Sequence, residues 1–123
     1  MYVHAVAQTH AFVRAAAEAG MSEDEVDSLI NFLSKHPTAG VEIPGTGGCR
    51  KLRRAGRGKG KSGGFRTITF YSGEHLPVFL ITVFSKGERS NLSKSERNRL
   101  GVTTKAIVNE YQSKFAKMAK KGA

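Results

Sequence analysis

The sequence predicts an α+β fold of one domain, a small antiparallel-dominated sheet packed against helices in the order β-α-α-β-β-β-α. Three observations carry this. The chain has 123 residues, the size of one ordinary domain. Three β-branched and aromatic runs lie between Cys49 and Lys86 with short connections, so they should pair as antiparallel neighbours. Stretches with helical periodicity, opened by capping signals, flank that block. Helices that share one sheet in this order are expected on one of its faces.

Tyr2 to Gln8 alternates in polarity and reads as the first strand. Thr9 is an N-cap for a short helix with Ala11, Phe12, Ala15, Ala16 and Ala19, stopped by Gly20. Ser22 and Glu25 form a capping box for a second helix, whose apolar side is Val26, Leu29, Ile30 and Leu33. Asp24, Glu25 and Asp27 sit in or beside its first turn, where the helix dipole favours them. His36-Pro37 ends it. Residues 37–48 read as a glycine- and proline-rich loop.

Cys49 to Arg54 is a strand with Leu52 facing one way and Lys51 and Arg53 the other. Residues 55–64 form a basic glycine loop. Phe65 to Tyr71 is the next strand, and residues 72–75 a turn. Pro77 to Lys86 is the most apolar strand and is expected at the centre of the sheet. Ser93 and Glu96 make a second capping box. The helix it opens carries the stripe Leu100, Thr104, Ile107, Val108, Tyr111, Phe115 and Met118. Gly101 costs about 1 kcal/mol within a helix, so a break is expected there. The single domain spans residues 1–123, with 117–123 expected to fray.

Composition excludes several classes. The formal charge is +10, and a 39% hydrophobic content suffices for one core. One cysteine, Cys49, can form neither an internal disulfide nor a cysteine-based zinc cluster. The longest apolar run, Leu76 to Phe84, is too short to span a bilayer, and the N-terminus lacks a signal-peptide pattern. A cytoplasmic protein without a membrane partner, metal or cofactor is expected.

The charge is uneven. Residues 1–49 are acidic on balance, whereas residues 50–66 hold eight bases and no acid: Arg50, Lys51, Arg53, Arg54, Arg57, Lys59, Lys61 and Arg66. Such a block repels itself unless a polyanion relieves it, which points to a phosphate-binding surface. Ala55 to Ser62 nearly matches a nucleotide-binding phosphate loop, but a strand follows it where that motif requires a helix. His4, His10, His36 and His75 lack metal-ligand spacing. Tyr71 and Phe84, at strand ends, are candidate stacking platforms for bases. No basic recognition helix is evident, so duplex DNA is disfavoured.

Cations on rigid strands can hold a phosphodiester in place, and RNA supplies its own nucleophile, the 2′-hydroxyl. Cleavage needs that hydroxyl deprotonated, charge on the phosphorane stabilised and the 5′ oxygen protonated. A lysine can serve as base where like charges lower its pKa, and arginines can stabilise charge with their fixed fork of donors. No metal is needed for this scheme.

Three segments together resemble a known family: Gly45-Thr-Gly-Gly-Cys-Arg-Lys-Leu-Arg53, Gly58-Lys-Gly-Lys-Ser-Gly-Gly-Phe-Arg66 with the strand to Tyr71, and Val78 to Ser93. They resemble the RelE/HigB-type toxins of bacterial type II toxin–antitoxin modules, nearest the HigB-like branch of the RelE/ParE superfamily. The resemblance covers about residues 22–100. It implies the compact RelE-like fold and a ribosome-dependent mRNA endonuclease acting in the ribosomal A site through the 2′-hydroxyl. It implies as partners mRNA, the ribosome with its RNA, and a cognate antitoxin with a helix-turn-helix domain, through which alone DNA would be met. By resemblance, Arg66 matches the phosphate-stabilising arginine, Lys86 falls in the basic segment after the last strand, and Lys59 and Lys61 are candidates for chemistry. Lys51 and Arg53 match the basic strand that holds RNA, with Arg57 and Arg89 as further contacts. Ser93 stands where some RelE enzymes carry a tyrosine, so no general base is assigned. ParE toxins share the fold and bind DNA gyrase, and a non-catalytic RNA-binding regulator is the third alternative.

Overall fold

A computed structural model of the chain describes residues 3–55, 64–73, 75–85 and 92–122. In chain order its elements are β1 (Val6–Gln8), α1 (His10–Glu18), α2 (Glu23–Lys35), β2 (Val41–Glu42), β3 (Cys49–Ala55), β4 (Gly64–Phe70), β5 (Val78–Ser85) and α3 (Lys94–Gly122). The five strands form one sheet in the order β1-β5-β4-β3-β2. Among the described residues only β1 and β5 pair in parallel; the other three ladders are antiparallel. The apolar strand β5 is interior, as expected, but the middle strand is β4.

The helix caps read from the sequence are present. The Ser22 hydroxyl accepts from the Glu25 N–H at 3.2 Å, and Glu25 returns the bond to the Ser22 N–H at 2.9 Å. Ser93 and Glu96 do the same for α3, at 3.1 and 2.9 Å. Thr9 does more than cap α1. Its hydroxyl accepts from the Phe12 N–H at 3.1 Å and directs its own proton at the carbonyls of Leu80 (2.9 Å) and Ile81 (3.2 Å). Those carbonyls lie where the β4–β5 register slips, leaving Ile81 without a β4 partner. The cap therefore anchors α1 to an interior strand at its irregular point.

Three expectations need correction. The helices cover both faces of the sheet, not one. Phe12 and Ala16 of α1 and Leu29 and Leu33 of α2 pack on Phe65, Val78, Leu80 and Val83, with Leu52 against them. Leu100 of α3, joined by Ile107, Val108 and Tyr111, packs on Cys49, Ile68, Phe70, Phe79, Ile81 and Phe84. Strands buried on both sides lose their alternation, which is why β4 and β5 are apolar nearly throughout. Second, the loop 37–48 contains the short edge strand β2. Third, β1 begins at Val6 rather than Tyr2.

The predicted break at Gly101 is also absent: α3 runs through it. The glycine permits close packing instead. A Cβ there would stand 3.2 Å from the Gly45 carbonyl oxygen. Fully buried Thr46, on that loop, donates its hydroxyl to the Ile43 carbonyl at 2.6 Å and accepts from the Cys49 N–H at 3.2 Å. Its own carbonyl accepts from the Thr104 hydroxyl of α3 at 2.9 Å. Gly48, at φ 124°, lets the loop pass over the Phe70 ring, which a Cβ would meet at 3.1 Å. The Thr-Gly-Gly motif thus clamps α3 to the sheet.

Thr104→Val keeps the side-chain volume and leaves the Thr46 carbonyl unpaired. It is expected to destabilise the fold by about 1–3 kcal/mol, read as a melting temperature lower by several degrees in circular dichroism.

Candidate functional site

Register places two arginines side by side. Arg66, at the start of β4, is flanked by Arg53 on β3 and Phe84 on β5. Directly opposed residues have Cα atoms about 4.5–5.5 Å apart and project from the same face, so two like charges share one spot, a destabilising arrangement when nothing offsets it. Neither arginine has an acidic partner among the described residues. The Nε of Arg66 is buried and has no hydrogen-bond acceptor. A buried donor without an acceptor costs about 1–3 kcal/mol, which an anion seated on Arg66 would recover. Lys51 lies two residues along β3 from Arg53, on the same face and opposite Ile68.

The remaining bases of β3 belong elsewhere. Arg50 stands opposite Glu42 in the β2 register. Arg54 donates to the Ser28 hydroxyl at 3.1 Å and lies over the Phe32 ring at 4.9 Å, both on α2. The basic block is therefore not a single surface. Strand alternation sends Arg50 and Arg54 toward α2, and Lys51 and Arg53 to the face shared with Arg66.

The two proposed stacking platforms are not brought to that face as exposed rings. Tyr71 packs against the α1–α2 core, with its hydroxyl 3.0 Å from His4 Nε2 and the two rings edge to face. Phe84 shares the Arg66 face but is 4% exposed, part of the core beneath α3. Arg57, Lys59 and Lys61 fall in residues 56–63, and Lys86 and Arg89 in residues 86–91, all outside the described residues. The described residues flanking these segments, Ala55, Gly64 and Ser85, end at the same edge of the sheet as Arg66. His75 is exposed in the turn at the opposite end, where it lines a cavity of about 460 Å³ with Leu76, Val108 and Gln112. Among the described residues, no three histidines, cysteines or acids converge as a metal site would require, and no helix is long and apolar enough to cross a membrane.

One residue escaped the sequence reading. Arg97, exposed in the first turns of α3, lines a cavity of about 640 Å³ together with Lys51. Its signal was the capping box at Ser93, which sets the start of α3 and hence the side from which Arg97 projects.

Neighbouring arginines and a buried donor without an acceptor, on a sheet covered by helices on both faces, define a small α+β protein with a basic sheet face. The family model described as RelE toxin of the RelE/RelB toxin–antitoxin system matches residues 5–123. The chain belongs to the RelE toxin family, and is a toxin of a toxin–antitoxin system. Among solved structures, a mutant of the E. coli toxin RelE in the free state is similar in fold, at TM-score 0.50 and 17% identity, covering 83% of this chain and 97% of that one.

Cys49 is fully buried under the same sheet. Burial pushes its thiol up to about 11, with the hydrogen bond to Thr46 acting in the opposite direction. Because the thiolate forms only near that pH, the folded protein at pH 8 should react with a thiol reagent far more slowly than the unfolded chain. A time course with and without denaturant measures the difference.

Proposed function

We propose that this toxin is a ribosome-dependent mRNA endonuclease of a type II module, cutting mRNA in the A site without a metal. The observation that carries the reading is the buried, unpaired Nε of Arg66 beside Arg53. Neighbouring arginines on adjacent strands can together donate to the non-bridging oxygens of one phosphodiester. Their value rises as the phosphorane gains charge, which is the condition for catalysis rather than mere binding.

In the proposed reaction the 2′-oxygen of the upstream nucleotide attacks phosphorus as its proton passes to a base. The bond from phosphorus to the 5′ oxygen breaks, and that oxygen takes up a proton. The products are a 2′,3′-cyclic phosphate and a 5′-hydroxyl. Arg66 is the charge-stabilising residue, and Arg53 and Lys51 hold the strand. Lys59, Lys61 and Lys86 are the proposed proton-handling groups, with Arg57 and Arg89 as further RNA contacts. Family membership supports a cognate antitoxin and action on the translating ribosome.

No imidazole or carboxylate shares the register of Arg66 among the described residues. A site of that kind depends on a partner to align nucleophile and leaving group, so purified protein should cut naked RNA weakly or not at all.

The decisive comparison is induced expression of wild type and Arg66→Ala, with primer extension on a translated reporter. Wild type should produce new cuts in codon register, and the variant should lose about 10²-fold or more of that activity. Growth arrest with altered DNA topology and intact mRNA would instead assign the chain to the gyrase-poisoning branch. RNA binding without growth arrest would assign it to a regulator.

A further inference from the structure

The cavity between β2, β3 and the start of α3 takes in Lys51, two residues along β3 from Arg53, but its other walls have no part in the chemistry above. Lys51 and Arg97 form its cationic walls, and Val41, Ile43 and Pro44 its apolar ones. Val41 stands opposite Lys51 in register and is 70% exposed, an apolar side chain held in water beside a cation. The volume, about 640 Å³, suits a group much larger than a phosphate. Glu42 also borders the cavity, but its register partner is Arg50, so its carboxylate belongs to the opposite face of the sheet.

We propose that this groove is a nucleotide subsite for the single-stranded RNA adjoining the scissile phosphate, with Arg97 and Lys51 as its positioning residues. The inference rests on the nuclease reading for the identity of the neighbouring phosphate. Two residues along a strand advance about 6.6–6.8 Å, so Arg53 and Lys51 are cations at a spacing close to that of successive phosphates in an extended strand. A phosphate on Arg66 and Arg53 leaves the next one at Lys51. Arg97 meets the same phosphate from α3, across the cavity from Lys51, and the attached sugar and base lie against Val41 and Pro44. An apolar wall beside paired cations matches a nucleotide better than an inorganic anion or an acidic side chain alone.

Arg97 is held there by the scaffold. Its N–H bonds the Ser93 carbonyl at 3.0 Å within the capped first turn. The bond from Thr104 to Thr46 fixes α3 against the loop that carries Ile43 and Pro44. The groove is thus built from elements that cannot slide independently.

Binding and turnover test this separately. The binding probe is a fluorescent single-stranded RNA octamer, 2′-O-methylated throughout so that it cannot be cut, read by anisotropy over a salt series. Arg97→Ala should weaken binding about 10-fold and lower the salt slope by about 0.7, the value for one phosphate contact on a single strand. Arg97→Lys should restore most of both. Arg14→Ala, an exposed charge removed from α1 across the sheet, should leave both within twofold. On programmed ribosomes the loss in Arg97→Ala should appear in KM rather than kcat. Unchanged affinity and slope in Arg97→Ala, or an equal loss in Arg14→Ala, would overturn the subsite. An octamer effect without any mRNA cleavage by wild type would overturn the nuclease reading and leave the groove as an RNA site.

Discussion

A strand can face only two ways, and β4 uses both of them for burial. On one side it meets α1 and α2, on the other α3, and neither side is left to water along most of its length. This constraint sorts everything attached to the sheet. It divides the basic residues of β3 into Arg50 and Arg54 on the α2 side, where Arg54 rests on Phe32, and Lys51 and Arg53 on the face of Arg66. It also accounts for the orphaned Arg66 Nε. A long polar side chain at the margin of a two-sided core has its stem covered, and its nearest register neighbours, Arg53 and Phe84, offer no acceptor. The fold thereby keeps a cation partly dehydrated, where its field is least screened.

The glycine-rich segment before β3 gains a different meaning from the one its composition suggests. Glycines beside a basic strand invite a phosphate-cradling interpretation. Here Thr46, Gly48 and Gly101 solve a packing problem, bringing α3 within hydrogen-bonding distance of a loop backbone. Gly101 has a cost in helix propensity, offset by the close approach it permits. Both sides of the groove between β3 and α3 then derive from one joint: β3 supplies Lys51, α3 supplies Arg97, and Thr46 ties the two together.

Local signals were legible in the sequence wherever the physics was local. Both capping boxes, the Thr9 cap and the outward pairing of Lys51 with Arg53 follow from neighbours within four residues. What failed required the tertiary partner. A two-residue strand such as β2 has no periodicity to detect. The placement of α3 opposite α1 and α2 is hidden because a doubly buried strand reads simply as apolar. Arg54 gives no hint that its guanidinium rests on Phe32. Tyr71 is the instructive case: it lies an odd number of positions from Arg66 on nearly the same strand, so alternation alone sets it on the other face. Phe84 is even-spaced through the register yet buried, which only the arrival of α3 decides. Lys59, Lys61, Lys86, Arg57 and Arg89 lie outside the described residues.

The parallel pairing of β1 with β5 has a consequence for the order of assembly. Val6–Gln8 align with Val78–Leu80, and the Thr9 cap closes on carbonyls more than seventy residues downstream. Strands β3, β4 and β5 can zip together through nearby turns, but β1 and α1 must wait for a strand made late in synthesis. Closing so long a loop is entropically expensive and kinetically slow. A growing chain therefore holds its first helix in reserve, with the Phe12 ring uncovered, until β5 has emerged. The two-sided core is thus completed only once β5 and α3 have both been made.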